Sequence, residues 1–66
     1  MHNYIVKFVF QNKPDVVHTA NNREEDLVNY IAYLASKEYT SFINSSTGEA
    51  VVINLKQVLY FNVTEI

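Results

Sequence analysis

Cysteine is absent from this 66-residue chain, which excludes disulfide bonds, thiolate metal ligands and a cysteine nucleophile. The chain has only one glycine, so a glycine-rich phosphate-binding loop is excluded as well. A domain of this length buries only about 60% of the surface that its unfolded chain exposes. Because disulfides cannot supplement so small a core, we expect the domain to gain stability by oligomerisation.

Positive charge is also sparse, and the formal net charge is −2 at pH 7. Nucleic-acid binding usually needs a basic cluster that neutralises phosphates, but the basic residues here are scattered: Lys7, Lys13, Arg23, Lys37 and Lys56. No apolar run approaches the roughly 20 residues that span a bilayer, and residues 1–4 lack the charged start of a signal peptide. We therefore expect a cytoplasmic protein without a membrane segment.

The residues that are present are those of a globular protein. Hydrophobic residues make up 48% of the chain and charged residues 18%, which is too apolar for a disordered protein. Asn, Ile, Tyr and Val are plentiful whereas Gly, Pro and Arg are rare. This bias is typical of AT-rich coding DNA and favours a bacterial or phage origin.

The N-terminal part predicts a β-hairpin. Residues 4–10 are rich in β-branched and aromatic side chains, which is typical of a strand, and residues 15–19 form a second strand. If the turn residues 11–14 form the loop, Phe10 lies opposite Asp15 and Lys7 lies opposite His18.

The middle of the chain predicts an amphipathic helix over residues 23–37. Asn22 and Glu25 have the spacing of a capping box, and acidic residues follow in the first turn, where they oppose the helix dipole. Apolar residues then recur at helical spacing: Leu27, Ile31, Leu34 and Ala35.

Three more strands are predicted after the helix, over residues 39–44, 49–55 and 58–64. Gly48 closes the turn between the first two. A three-residue loop there places Tyr39 and Ile43 on the face of Val51, whereas a four-residue loop places Phe42 on it. In the last strand, the alternation points Leu59, Phe61 and Val63 inward and Tyr60 outward.

The predicted element order is β-β-α-β-β-β, so the fold class is α+β, a single small domain over residues 1–66. We expect one sheet, mostly antiparallel or mixed, with the helix packed on one of its faces. The nearest common architecture with this element order is β-grasp-like, in which the first and last strands lie side by side. An antiparallel sheet with another strand order is the alternative.

Residues with catalytic or metal-binding potential have simpler structural roles. The two histidines lie far apart on the predicted hairpin, and a zinc site needs three or four converging ligands. The acidic residues 24–26 point about 100° apart on a helix and do not converge. The hydroxyl residues 45–47 are turn residues without a neighbouring base. We therefore predict no enzymatic activity, no metal and no cofactor.

The helix can cover only one face of the sheet, and the other face is the predicted partner-binding surface. Its residues are Ile5, Lys7, Val9, Val16, His18, Val52 and Tyr60. A mixed apolar face with tyrosine is typical of an interface, although a partly hydrated sheet face is an equally good interpretation. Tyr33, on the solvent side of the helix, is a second candidate.

These patterns predict a small non-enzymatic protein-interaction module, a homodimer or higher oligomer, in a phage or mobile-element setting. An exposed edge strand is a further route to a protein partner, by strand addition. The alternative is a nucleic-acid-binding regulator that stacks bases on an aromatic sheet face.

Overall fold

The computed structural model describes residues 1–66. It contains five strands, one α-helix and one 3₁₀ turn, and all strand pairs are antiparallel. The elements are β1 (His2–Val9), β2 (Val16–Arg23), α1 (Leu27–Ala35), β3 (Tyr39–Ile43), β4 (Ala50–Asn54), the 3₁₀ turn (Leu55–Gln57) and β5 (Tyr60–Glu65). The chain is therefore a small α+β protein.

The strands form two sheets and not the single sheet that the sequence predicts. One sheet has three strands in the order β2-β1-β5, and β3 pairs only with β4 in a separate hairpin. The last three strands do not pair in chain order, because the 3₁₀ turn follows β4 and β5 then pairs with β1. The first and last strands do lie side by side, in antiparallel orientation.

The predicted register of the first hairpin is wrong by one residue. Val6, and not Lys7, lies opposite His18, and Phe8 lies opposite Val16. The strands are joined by residues 10–15, a longer connection than the predicted four-residue loop. Because side chains alternate between faces, this one-residue shift moves Val16 and His18 to the core side of the sheet.

The helix is shorter than predicted and begins later. Residues 22 and 23 belong to β2, and Asn22 has a positive φ of 58°, so Asn22 does not cap α1. Asp26 does: its carboxylate accepts a 2.9 Å hydrogen bond from the Asn29 N–H, which satisfies a backbone donor in the first turn. The structure has no helix long and apolar enough to cross a membrane.

The core lies on one side of the three-stranded sheet. A nine-residue helix is only about 14 Å long, so α1 covers part of this side of the sheet. The β3–β4 hairpin covers the rest. Tyr30 of α1 stacks on Tyr4 of β1 at 4.7 Å, and Phe42 of the hairpin stacks on His18 at 4.0 Å. The seven buried residues are Tyr4, Val6, Phe8, Ala20, Tyr30, Leu34 and Ile53.

The β3–β4 hairpin has a four-residue loop, which is one of the two loop lengths that the sequence allows. Phe42 lies opposite Val51, and the Asn44 N–H donates to the Glu49 carbonyl at 2.8 Å. Gly48 has a φ of 76°, a left-handed conformation that suits glycine best.

The alternation in the last strand is partly as predicted. In β5, Phe61 and Val63 lie against the core and Tyr60 points outward. Leu59 was expected to face inward, but it precedes the strand and is exposed.

Candidate functional site

The side of the three-stranded sheet away from α1 and the hairpin is covered by no other element. We call it the open face, and register places these residues on it: Ile5, Lys7, Val9, Val17, Thr19, Tyr60, Asn62 and Thr64. Val17 is 59% exposed and Tyr60 is 55% exposed. The open face therefore leaves large apolar side chains in water.

Charge on the open face comes from one lysine. Lys7 lies between Val17 on β2 and Asn62 on β5. Its ammonium is 4.0 Å from the carboxylate of Asp15, and both side chains are nearly half exposed. A solvated pair at this distance contributes little to stability, so Lys7 is available to a partner's carboxylate or carbonyl.

The predicted partner-binding residues separate into three groups. Ile5, Lys7, Val9 and Tyr60 lie together on the open face, and partner binding by them stays a prediction. Val16 and His18 were predicted on that face and lie on the core side instead, because of the register shift. Val52 was also predicted there, but it lies on the hairpin, where it is 65% exposed.

The outer side of the hairpin is a second apolar surface. Three large side chains on it are more than half exposed: Tyr39, Ile43 and Val52. Residues of this face lie opposite one another in the β3–β4 register. It is narrower than the open face because only two strands form it.

Tyr33 is part of a cation–aromatic cluster that the sequence did not predict. The Arg23 guanidinium lies 5.0 Å from the ring centroids of both Tyr30 and Tyr33, and it forms two hydrogen bonds to Glu25, at 3.1 and 2.6 Å. Lys37 lies 4.7 Å from the Tyr33 ring, and a hydrogen bond with Lys37, supported by Arg23, lowers the pKa of Tyr33. The cluster joins the end of β2 to α1. It was missed because Arg23 was assigned to the helix.

The two histidines have different surroundings. His2 Nδ1 lies 2.7 Å from a carboxylate oxygen of Glu65, at the exposed end of the sheet. His18 is half-buried against Phe42, and burial lowers its pKa. Neither ring is hydrogen-bonded to a serine or threonine hydroxyl, so neither forms the nucleophile–base pair of a hydrolytic site.

Other features that often mark a reactive site are missing as well. No three His, Asp or Glu side chains come close enough together to hold a metal ion. Every buried side-chain nitrogen or oxygen has a hydrogen-bond partner, so no buried polar side chain awaits a ligand.

Comparison with known proteins adds no family to these observations. No protein-family model matches the chain, and no significant match is found among curated proteins or solved structures.

Proposed function

We propose that this protein is a non-enzymatic interaction module that self-associates through the open face. The observation that carries the proposal is the exposure of Val17 and Tyr60 on a sheet face that the chain itself does not cover. Burying such apolar surface against a second copy is favourable by about 25 cal/mol for each Å². Only seven residues of the chain are buried, so many of its apolar side chains remain accessible to a second copy.

The size of the open face predicts weak self-association. Three strands about 4.8 Å apart and about 20 Å long give a projected area of about 300 Å². A standard interface buries about 800 Å² on each partner. A dimer that uses the open face alone therefore falls below this range, and we expect a dissociation constant in the micromolar to millimolar range.

Symmetry favours a dimer over an extended assembly. In a two-fold interface the same patch contacts itself, and an open face with one lysine and several uncharged side chains can do so with little charge repulsion. The main like-charge repulsion in such a dimer is between the Lys7 side chains of the two copies. In each copy the carboxylate of Asp15, 4.0 Å from the Lys7 ammonium, reduces this repulsion.

Sedimentation velocity across protein concentrations tests the proposal. The wild-type sedimentation coefficient should rise between about 10 µM and about 1 mM protein, and Tyr60→Asp and Val17→Asp should abolish this rise because each buries a charge in the dimer. Val52→Asp is the matched control: it adds the same charge at an equally exposed apolar position on the hairpin. Circular dichroism of each variant reports whether the fold is retained.

Two results would contradict self-association through the open face. One is a wild-type protein that sediments as a monomer at 1 mM. The other is dissociation by Val52→Asp to the same extent as by Tyr60→Asp, which would assign the contact to the hairpin.

The alternative of a nucleic-acid-binding regulator has less support. Lys7 is the only basic residue on the open face and Tyr60 is the only aromatic one. Base stacking on a sheet needs several aromatic side chains beside a positively charged groove. Salt-sensitive retention of the protein on single-stranded DNA or RNA would favour this alternative.

A further inference from the structure

Two strand edges without a hydrogen-bonded neighbour lie beside each other in this fold. β2 is the outer strand of the three-stranded sheet, and β3 pairs only with β4. No backbone hydrogen bond joins β2 to β3. Both strands nevertheless line the same cleft, which contains cavities of about 260 and 340 Å³.

The register identifies which groups of β2 point into the cleft. The Ile66 N–H donates to the Asn3 carbonyl at 2.9 Å, so the odd-numbered residues of β1 form hydrogen bonds with β5. Because backbone groups alternate in direction along a strand, the even-numbered residues of β1 bond to their even-numbered partners on β2. The N–H and C=O groups of Val17, Thr19 and Asn21 then point away from the sheet, and these three residues line the cleft.

The same argument applies to β3. The hydrogen bond from Asn44 to Glu49, at 2.8 Å, and the one from Leu55 to Glu38, at 2.9 Å, show that the even-numbered residues bond to β4. Ser41 and Ile43 therefore direct their backbone groups toward β2, and both line the cleft. The cleft thus has unpaired donors and acceptors along both of its walls.

The floor of the cleft contains a pair of stacked aromatic rings. His18 and Phe42 stack at 4.0 Å across it and separate the two cavities. The cavity on the side of Arg23 reaches Phe8, Tyr30 and Leu34, and its volume admits one side chain of the size of valine or leucine. These three side chains are almost fully buried, and the accessible lining of both cavities is more polar than apolar. Side chains that point inward from a strand in the cleft therefore meet the His18–Phe42 stack and the polar groups around it.

Along most of their length, the two edges lack the features that prevent strand pairing. Exposed edges are normally blocked by lysine, proline, a bulge or a covering element. Residues 16–22 of β2 and 39–43 of β3 contain no charged residue and no proline, and the one irregularity in the β1–β2 register falls at the end of the pair, beyond Tyr4. By contrast, α1 packs beside β5, the other outer strand of the sheet.

We propose that the cleft between β2 and β3 binds an extended peptide segment of a partner protein. A strand is the occupant whose backbone donors and acceptors recur with the same alternation as those of both walls, whereas a folded surface or a small molecule satisfies only some of them. The wall from Val17 to Asn21 accommodates about five residues at 3.3 Å each. Every second residue faces the floor, where the His18–Phe42 stack favours an apolar side chain, and the segment lacks proline where its N–H groups face the walls.

This site shares Val17 and Thr19 with the open face. It uses their backbone groups and not their side chains, so each proposal can fail without the other. The probe is a library of random dodecapeptides displayed on phage and panned against the purified chain. Thr19→Pro removes an N–H that points into the cleft and leaves the β1–β2 bonds in place. Val52→Pro, the matched control, removes an outward N–H from the free edge of β4, outside the cleft.

We expect enriched peptides with alternating apolar residues that bind wild-type protein and Val52→Pro equally. Thr19→Pro should weaken binding by about tenfold, because it loses a hydrogen bond and introduces a bulky ring at the edge. Amide hydrogen exchange on the wild-type protein is a second measurement that needs no variant. A saturating peptide should slow exchange at Val17, Thr19, Asn21, Ser41 and Ile43 and leave the β1–β5 amides unchanged.

Three outcomes would overturn the proposal. The first is a library that yields no peptide whose binding depends on Thr19. The second is an enriched peptide that leaves the exchange of the five wall amides unchanged. The third is exchange of these amides that is already slow in the free protein and becomes slower as the protein concentration rises. This result would show that a second copy and not a partner peptide fills the cleft.

Discussion

The hydroxyl of Tyr4, in the central strand, donates a 2.7 Å hydrogen bond to the backbone carbonyl of Glu25, just ahead of α1. Tyr4 is fully buried, and burial is the main cause of the raised pKa of its hydroxyl. The bond therefore fixes the entry to the helix against the sheet from within the core. It also satisfies the Glu25 carbonyl, which forms no hydrogen bond within a sheet or helix.

Tyr4→Phe should destabilise the protein by about 1–2 kcal/mol, because the aromatic packing is kept and only the hydrogen bond is lost. For a domain of this size that corresponds to a fall in melting temperature of roughly 4–8 °C for each kcal/mol. Thermal unfolding followed by circular dichroism measures the change. Tyr60→Phe is the control, since the Tyr60 side chain is exposed; equal melting temperatures for the two variants would refute the role assigned to the Tyr4 hydroxyl.

His18 should make stability decrease as the pH falls below about 7. Burial lowers the pKa of His18 below its ordinary value of 6.5, so the unfolded chain binds this proton more readily than the folded chain does. Stability is then fully present above pH 6.5 and decreases as the pH falls through the pKa of the folded state. The His18 ring lies against Phe42, and among charged groups only Arg23 lines a cavity with it, so no carboxylate there compensates the proton.

His18→Phe should remove this part of the pH dependence and keep an aromatic contact with Phe42. Urea unfolding at pH 7.5, 6.5 and 5.5 compares the two proteins, and this range stays more than one pH unit above the ordinary pKa values of the carboxylates. A variant whose midpoint falls with pH as steeply as that of the wild type would show that His18 is not responsible.

The register of the first hairpin could not be read from the sequence because β2 is apolar at adjacent positions. Val16 and Val17 follow one another, and His18 and Thr19 are both compatible with either face, so the alternation does not select one. The register then depends on the length of the loop between β1 and β2. An error of one residue in this length moves every side chain of β2 to the opposite face. The face of β1 was predictable, since Tyr4, Val6 and Phe8 contrast with the charged Lys7.

The start of the helix was ambiguous for a similar local reason. Both Asn22 and Asp26 are residues that cap helices well, and Asn22 also has Glu25 at capping-box spacing. Asn22 instead takes a left-handed conformation at the end of β2, which asparagine tolerates better than most residues. Pairing between β1 and β2 thus extends through residues that local preference assigns to the helix.

The open face was predicted in part because one helix cannot cover two sides of a sheet. Ile5, Lys7, Val9 and Tyr60 were placed there correctly by alternation within β1 and β5. The cleft was not predictable, because it depends on which strands stay unpaired, and alternation within a strand does not identify its neighbours. Because β5 pairs with β1, the β3–β4 hairpin stays separate from the three-stranded sheet. The edges of β2 and β3 that form the walls of the cleft are therefore both left unpaired.

Leu34→Ala tests whether α1 is held by the core that the structure shows. Leu34 is 2% exposed, and truncation of such a leucine costs about 2–5 kcal/mol. A 66-residue domain has about 3–10 kcal/mol of stability in total, so this single change should remove a large part of it. Val28→Ala, on the same helix, alters a side chain that is 75% exposed and should change stability by less than about 0.5 kcal/mol. Urea unfolding at 25 °C distinguishes the two, and equal midpoints would mean that α1 does not pack on the sheet through Leu34.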